Sequence, residues 1–323
     1  HDMGEKMTVL VIQLAVIVCA AKIGGFVCRN YLRIPEVIGE ILAGVVIGPY
    51  ALGPYVGIFP SEGGFPVTPE LYGIATLAAI ILLYLAGLET DLSMFLRYSV
   101  VGTLVGVSGV VISFVLGDLA AVWCGFSADY LAPSALFLGT ISTATSVGIT
   151  ARIMNEKNQL HSPEGVTILS GAVIDDVLGI VLLAVVIGMA KVSHAGGEIA
   201  WGHIGMIAAK AIGFWIICTL LGLLLAKRIG KVLERFGSHQ TMATLSLGLA
   251  LLLAGLSEHA GLAMIIGAYI MGLSLSRADC AQALQERLEP VYATLVSVFF
   301  CVMGMMVNLG AVKEIIWGSL LFT

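Results

Sequence analysis

Ten apolar stretches separated by short polar loops run through the chain, at about residues 8–28, 35–53, 70–88, 98–124, 131–153, 165–190, 203–226, 239–257, 260–276 and 290–309. Another begins near residue 314. A helix needs about 20 apolar residues to cross the hydrocarbon of a bilayer, and these runs approach or exceed that length. Only 11% of residues are charged, against about 25% in soluble domains, and mean hydropathy is +1.01, which rules out a water-soluble globule. No interval between the runs holds a soluble domain, and no strand is expected. The fold class that follows is an all-α, polytopic protein of the lipid bilayer.

The same composition narrows the functions open to the chain. A net charge of −5 without a basic face gives no case for nucleic acid as a partner. Six cysteines are scattered without C-x-x-C or Cys/His spacing, so neither a disulfide framework nor a zinc site is expected. No nucleophile and base, and no metal cluster, share one membrane depth, so no enzyme and no cofactor are expected.

Lys and Arg accumulate in cytoplasmic loops, and here they segregate sharply. Arg29, Arg33, Arg97, Arg152, Lys157, Lys227, Arg228, Lys231, Arg235, Arg277 and Arg287 fall on one set of alternate loops, against Lys6, Lys191 and Lys313 on the other. Eleven against three sets the N-terminus outside and the Arg29–Arg33 loop in the cytoplasm of a plasma-membrane protein.

A weak repeat runs through the chain. Ile38-Gly39-Glu-Ile-Leu-Ala-Gly44 resembles Ile266-Gly267-Ala-Tyr-Ile-Met-Gly272, and Leu85-Ala-Gly87-Leu-Glu-Thr-Asp91-Leu92 resembles Val302-Met-Gly304-Met-Met-Val-Asn308-Leu309. By the charge count each partner has the opposite sense across the membrane, which is an inverted-topology repeat of the kind found in secondary transporters. The offset predicts that counterparts of the helices at 98–190 lie after Thr323, so the second repeat is expected to be incomplete, by about three helices. The division expected is 1–53 as first helices on the dimerisation side, 70–190 as core helices of repeat one, 203–226 as a linker helix and 239–323 as repeat two.

Two features inside the runs carry chemistry. Asp175 and Asp176 sit near the middle of the run 165–190, where each ionised carboxylate costs at least about 2.5–3.5 kcal/mol. Neighbours on a helix point about 100° apart, so one of the two faces a cavity more directly than the other. At about 6 Å and an effective dielectric near 20 they repel by about 3 kcal/mol, so the pair is expected to hold a proton or a metal cation rather than two bare charges. Before it comes Gly139-Thr-Ile-Ser142-Thr143-Ala-Thr145-Ser146-Val-Gly148, a poor continuous helix because hydroxyl side chains compete for backbone hydrogen bonds. We read a broken helix here, whose freed carbonyls and the Thr143, Thr145 and Ser146 hydroxyls are hard oxygen ligands for a small alkali cation. The sodium ligands expected are Asp176, Asp175 and Thr145.

Arg33-Ile-Pro35-Glu-Val-Ile-Gly39-Glu-Ile-Leu-Ala-Gly44-Val-Val-Ile-Gly48-Pro49, Leu85-Ala-Gly87-Leu-Glu89-Thr-Asp91-Leu, Thr143-Ala-Thr145-Ser146-Val-Gly-Ile, Val173-Ile-Asp175-Asp176-Val-Leu-Gly179 and Gly267-Ala-Tyr-Ile-Met-Gly272 together resemble the sodium/proton exchangers of the second cation:proton antiporter family, over about residues 30–310. The resemblance implies the sodium/proton antiporter fold with broken crossing helices, a homodimer, and a core domain that slides as an elevator. It implies that Asp176 carries the transported ion, that Asp175 pairs with a lysine, and that possession of both acids goes with electrogenic exchange. The family's partner lysine and second broken helix correspond to positions after Thr323; Lys313 lies in an external loop.

The function expected is exchange of Na+ (or Li+) for H+, in the service of pH homeostasis. The alternatives are a K+/H+ antiporter, a non-transporting membrane subunit that senses cations or pH, and, with less support, a Na+-coupled organic-solute carrier. Among other intramembrane residues, Glu40 either guides cations or is paired within close helix packing, Lys22 snorkels to the cytoplasmic side, and Ser246, Gly248 and Ala250 serve helix packing.

Overall fold

In the computed structural model, which describes residues 2–59, 66–90, 92–143, 145, 147–195 and 201–308, each of the ten apolar runs within those residues forms helix, while the run near residue 314 lies outside them. In chain order these are α1 (Asp2–Val27), α2 (Glu36–Ile47), α3 (Gly53–Val56), α4 (Pro69–Glu89), α5 (Leu92–Trp123) and α6 (Pro133–Thr143). They continue with α7 (Val147–Glu156), α8 (Pro163–Ala195), α9 (Trp201–Glu234), α10 (His239–His259), α11 (Met264–Leu275) and α12 (Ala281–Met305). A π-helical segment, Cys28–Leu32, prolongs α1 and stops at Arg33, whose φ of 55° ends the helix just before Pro35. Strands are absent among the described residues. Of the expected features, Ser146, Asp91, Leu309 and Lys313 lie outside the described residues.

Helix starts follow local chemistry. Pro69 and Pro163 occupy first helical positions, where a missing N–H is harmless, and the hydroxyls of Thr68 and Ser162 accept from the amides of Leu71 and Gly165. Seven spans among the described residues are long and apolar enough to cross a membrane, counting Pro133–Glu156 as one. The runs at 35–53 and 260–276 fall short of this because their helices, α2 and α11, have 12 residues each, about 18 Å of rise.

The chain forms two compact units, one containing everything up to Leu82 with α12 from Glu286, the other running from Leu83 to Gln285. In the first, Ile17, Ala21, Leu71, Ala75, Val298, Cys301, Val302 and Met305 form an apolar cluster. Glu40 is wholly buried there, accepts a hydrogen bond from Ser297 at 2.7 Å and lies 3.7 Å from the Lys22 ammonium. Of the two readings of Glu40 the paired one is observed, and Lys22 meets it while remaining half-exposed.

Lipid tails are as apolar as leucine, so membrane helices associate through close backbone approach rather than hydrophobic transfer. The repeat is built in those contacts. A Cβ on Gly44 would strike the carbonyl of Cys301, and one on Gly304 the carbonyl of Ile41 and the amide of Val45. In the other unit, a Cβ on Gly272 would strike the carbonyl of Tyr84, and one on Gly87 the carbonyl of Tyr269 and the amide of Leu273. Gly44, Ile41 and Val45 correspond to Gly272, Tyr269 and Leu273 at an offset of 228, and Gly87 and Tyr84 to Gly304 and Cys301 at 217. The same backbone contacts are therefore made twice, α2 with α12 and α11 with α4. Of the small residues in α10, Ser246 and Ala250 are fully buried, whereas Gly248 is exposed because two residues along a helix turn it about 200° to the opposite face.

Gly44→Leu and Gly272→Leu are each expected to destabilise the detergent-purified protein by about 3 kcal/mol or more, since the obstacle is backbone that cannot move aside. Gly248→Ala, whose Cβ meets open space, should leave the thermal transition in scanning fluorimetry unchanged or slightly raised.

Candidate ion site

The break in the crossing helix is set by hydroxyls. Through the last turns of α6, which ends at Thr143, hydroxyl side chains bond back onto the helix's own carbonyls and compete with its ladder. Ser142 donates to the Gly139 carbonyl at 2.7 Å and Thr143 donates to the Thr140 carbonyl at 2.7 Å. One turn earlier, Thr140 donates to Leu136 at 2.8 Å. Thr145 stands between the two helices in neither of them, its hydroxyl 3.3 Å from the Thr143 carbonyl, and helix resumes at Val147. The break thus joins the carbonyl end of α6, which carries partial negative charge, to the amide end of α7.

Asp175 reaches this break from α8. Its carboxylate is half-buried and lies beside the Thr145 hydroxyl. A hydroxyl has one proton, so Thr145 can satisfy either the Thr143 carbonyl or Asp175, and switching between them leaves an oxygen free to accept or to ligate. Thr143 is buried beside the break. Asp176 follows Asp175 in α8, but its side chain, like Ser146, lies outside the described part of the structure. Of the expected site residues, then, Thr143, Thr145 and Asp175 are brought together.

What holds these elements together is a set of small residues on α5 that sequence reasoning did not single out. A Cβ on Gly102 would collide with Ser170 of α8, and one on Gly106 would stand 2.7 Å from the Gly171 carbonyl and 3.0 Å from Ile174. Further along α5, Gly117 abuts Ser142 and Gly139 of α6, and the Ser142 hydroxyl, also 2.7 Å from the Ser113 carbonyl, shares its one proton between that carbonyl and Gly139's. Helix α5 is therefore the rail against which both the break and the aspartate helix are registered. The signal was present as Gly102-x-x-x-Gly106, the spacing that lets two membrane helices approach closely. On α7, Arg152 is buried and donates to Glu156 at 2.9 Å, closing the last turn of that helix.

Among the described residues no group of three or more His, Cys, Asp or Glu side chains is disposed to hold a metal ion. Among the described residues, the donors at the break are the Asp175 carboxylate, hydroxyls and backbone carbonyls. That set suits a monovalent cation with oxygen preference that must also be released, rather than a tightly held divalent or transition metal.

Comparison with known proteins gives a family and a fold. A model of the family described as sodium/hydrogen exchanger, transmembrane, matches residues 15–323. The high-affinity Na+/H+ antiporter NhaS3 of Synechocystis sp. is 33% identical over 319 residues, covering 91% of this chain and 68% of that protein. The Na+/H+-K+ antiporter GerN of Bacillus cereus is 28% identical, covering 96% of this chain and 75% of the relative. The solved structure of the sodium proton antiporter MjNhaP1 from Methanocaldococcus jannaschii shares the fold, with a TM-score of 0.69 at 21% identity over 97% of this chain and 74% of that one. A broken crossing helix packed against an aspartate helix, an all-helical fold shared with MjNhaP1 and a family match over nearly the whole length lead to one assignment: the chain belongs to the sodium/hydrogen exchanger transmembrane family.

Proposed function

We propose that the protein exchanges Na+ (or Li+) for H+ across the plasma membrane, with its N-terminus outside. The observation that carries this reading is the meeting of the Thr145 hydroxyl with the Asp175 carboxylate at the helix break. Asp176 carries the transported ion and Asp175 contributes a second proton, with Thr143, Thr145 and Ser146 lining the site and Thr145 joining the two acids as a sodium ligand.

The mechanism is competition. A carboxylate in a cavity excludes simultaneous proton and sodium binding, and if the loaded site opens to one side at a time, loading by either ion drives release of the other. Sodium entering the break exchanges water for hydroxyl and carbonyl oxygens already oriented by α6, so little reorganisation is needed. Residues 70–190 serve as the moving core, 203–226 as the linker, and 1–53 as the dimerisation side of a homodimer in which the core slides as an elevator. With two acids the cycle moves net charge. Potassium is the second reading, because the relative GerN is a Na+/H+-K+ antiporter.

Solid-supported-membrane electrophysiology on proteoliposomes, with Na+, Li+ and K+ jumps over a pH series, checks this. Sodium jumps should give transient currents that disappear in Asp176→Asn, and currents with K+ alone would replace the sodium reading by the potassium one. Asp175→Asn should keep sodium-dependent proton movement, read by an internal pH dye, while losing the electrical signal. Thr145→Val should raise the sodium concentration for half-maximal transport roughly tenfold, the worth of one hydrogen bond to a charged group.

A further inference from the structure

Helix α9 continues beyond its apolar run. Hydropathy ends the span at residue 226, yet the helix runs on to Glu234, and this extension carries Lys227, Arg228 and Lys231, with Arg235 directly after it. All four are exposed, and among the described residues none of their side chains has an ion-pair or hydrogen-bond partner. At about 100° per residue they fall within a single arc of about 100° on the helix surface. The buried side of the extension is different: Ala226 and Leu233 are buried, and Gly230 lies against Ala278 and Cys280, which fixes the helix to the loop after α11.

The basic arc lies on the same side of α9 as Leu220 and Leu224, which are 54% and 75% exposed one to three turns nearer the membrane centre. From Leu224 to Lys231 the helix rises about 10 Å. An apolar stripe of this kind, continuing into unneutralised cations at the membrane boundary, matches a phospholipid in two parts, acyl chain below and phosphate above. We propose that the end of α9 is a binding site for anionic phospholipid, with the acyl chain along Leu220 and Leu224 and the headgroup phosphate held by Lys227, Arg228, Lys231 and Arg235. The cations left unpaired by protein carboxylates are the charge complement of that headgroup, and each is worth a roughly fivefold preference for anionic over neutral lipid near the surface. The site is independent of the ion-exchange reading: it requires only that α9 span the membrane.

Native mass spectrometry of the full chain, delipidated and supplied with dioleoylphosphatidylglycerol or dioleoylphosphatidylcholine, tests it. The protein should retain phosphatidylglycerol over phosphatidylcholine by tenfold or more. The preference should vanish in the Lys227→Gln/Arg228→Gln/Lys231→Gln/Arg235→Gln variant and persist in Lys157→Gln. If the quadruple variant is not monodisperse, Lys231→Gln/Arg235→Gln should reduce the preference at least threefold. In a thermal-shift assay phosphatidylglycerol should stabilise the wild type, and 0.5 M salt should weaken that effect, as expected for exposed charges. Undiminished retention by a well-folded variant overturns the proposal. So does equal stabilisation by inorganic phosphate, which would make this a free-anion site, or by polyglutamate, which would make it a docking site for an acidic protein segment.

Discussion

Inside hydrocarbon there is no water to receive a freed carbonyl or amide, so a chain that interrupts a helix there must supply the missing partners itself. Everything at the centre of this protein follows from that requirement. At the interruption, where Thr145 stands outside both helices, Ser142, Thr143 and Thr145 turn their hydroxyls back onto carbonyls of α6. Those hydroxyls are the oxygens an alkali cation prefers. The hydroxyls that bond back at the break are the same groups proposed to line the ion path, and Thr145, which also reaches Asp175, is among them.

Position within the membrane is then a matter of backbone contact. Gly102, Gly106 and Gly117 let α5 come close enough to α8 and α6 that the acid and the break share one neighbour. Side chains larger than hydrogen at these points would move the aspartate helix and the broken helix independently, since the obstacles include the Gly171 carbonyl and the Ser142 and Ser170 side chains. The placement of the acid relative to the break depends on three glycines of α5.

Much of this was legible in the sequence. The apolar runs gave the helices, and the hydroxyl-rich run 139–150 gave the break, because hydropathy and hydrogen-bond competition are local properties. The ends of helices were less legible. Hydropathy reports where lipid is, not where backbone hydrogen bonding stops, so α2 ends at Ile47 well before the end of its apolar run, and α9 persists to Glu234 well after its own. Gly248 was grouped with two buried neighbours although a helix turns it away from them. The meeting of Thr145 and Asp175 depends on how α6, α7 and α8 are set side by side, which no window of sequence contains.

The doubled glycine contacts bear on the buried charge at Glu40. Its counterpart at the 228-residue offset is Ala268, and the counterpart of Ser297 at the 217-residue offset is Ile80, both buried and apolar. One copy of the contact thus holds a carboxylate and a hydroxyl at positions where the other holds Ala268 and Ile80, with glycine contacts that correspond residue by residue. The molecule contains its own reference: the second copy makes the same backbone contacts with no carboxylate at the position of Glu40. The two halves thus put different polar groups on one backbone joint, a carboxylate with Ser297 in the first and the Tyr269 and Thr90 hydroxyls in the second.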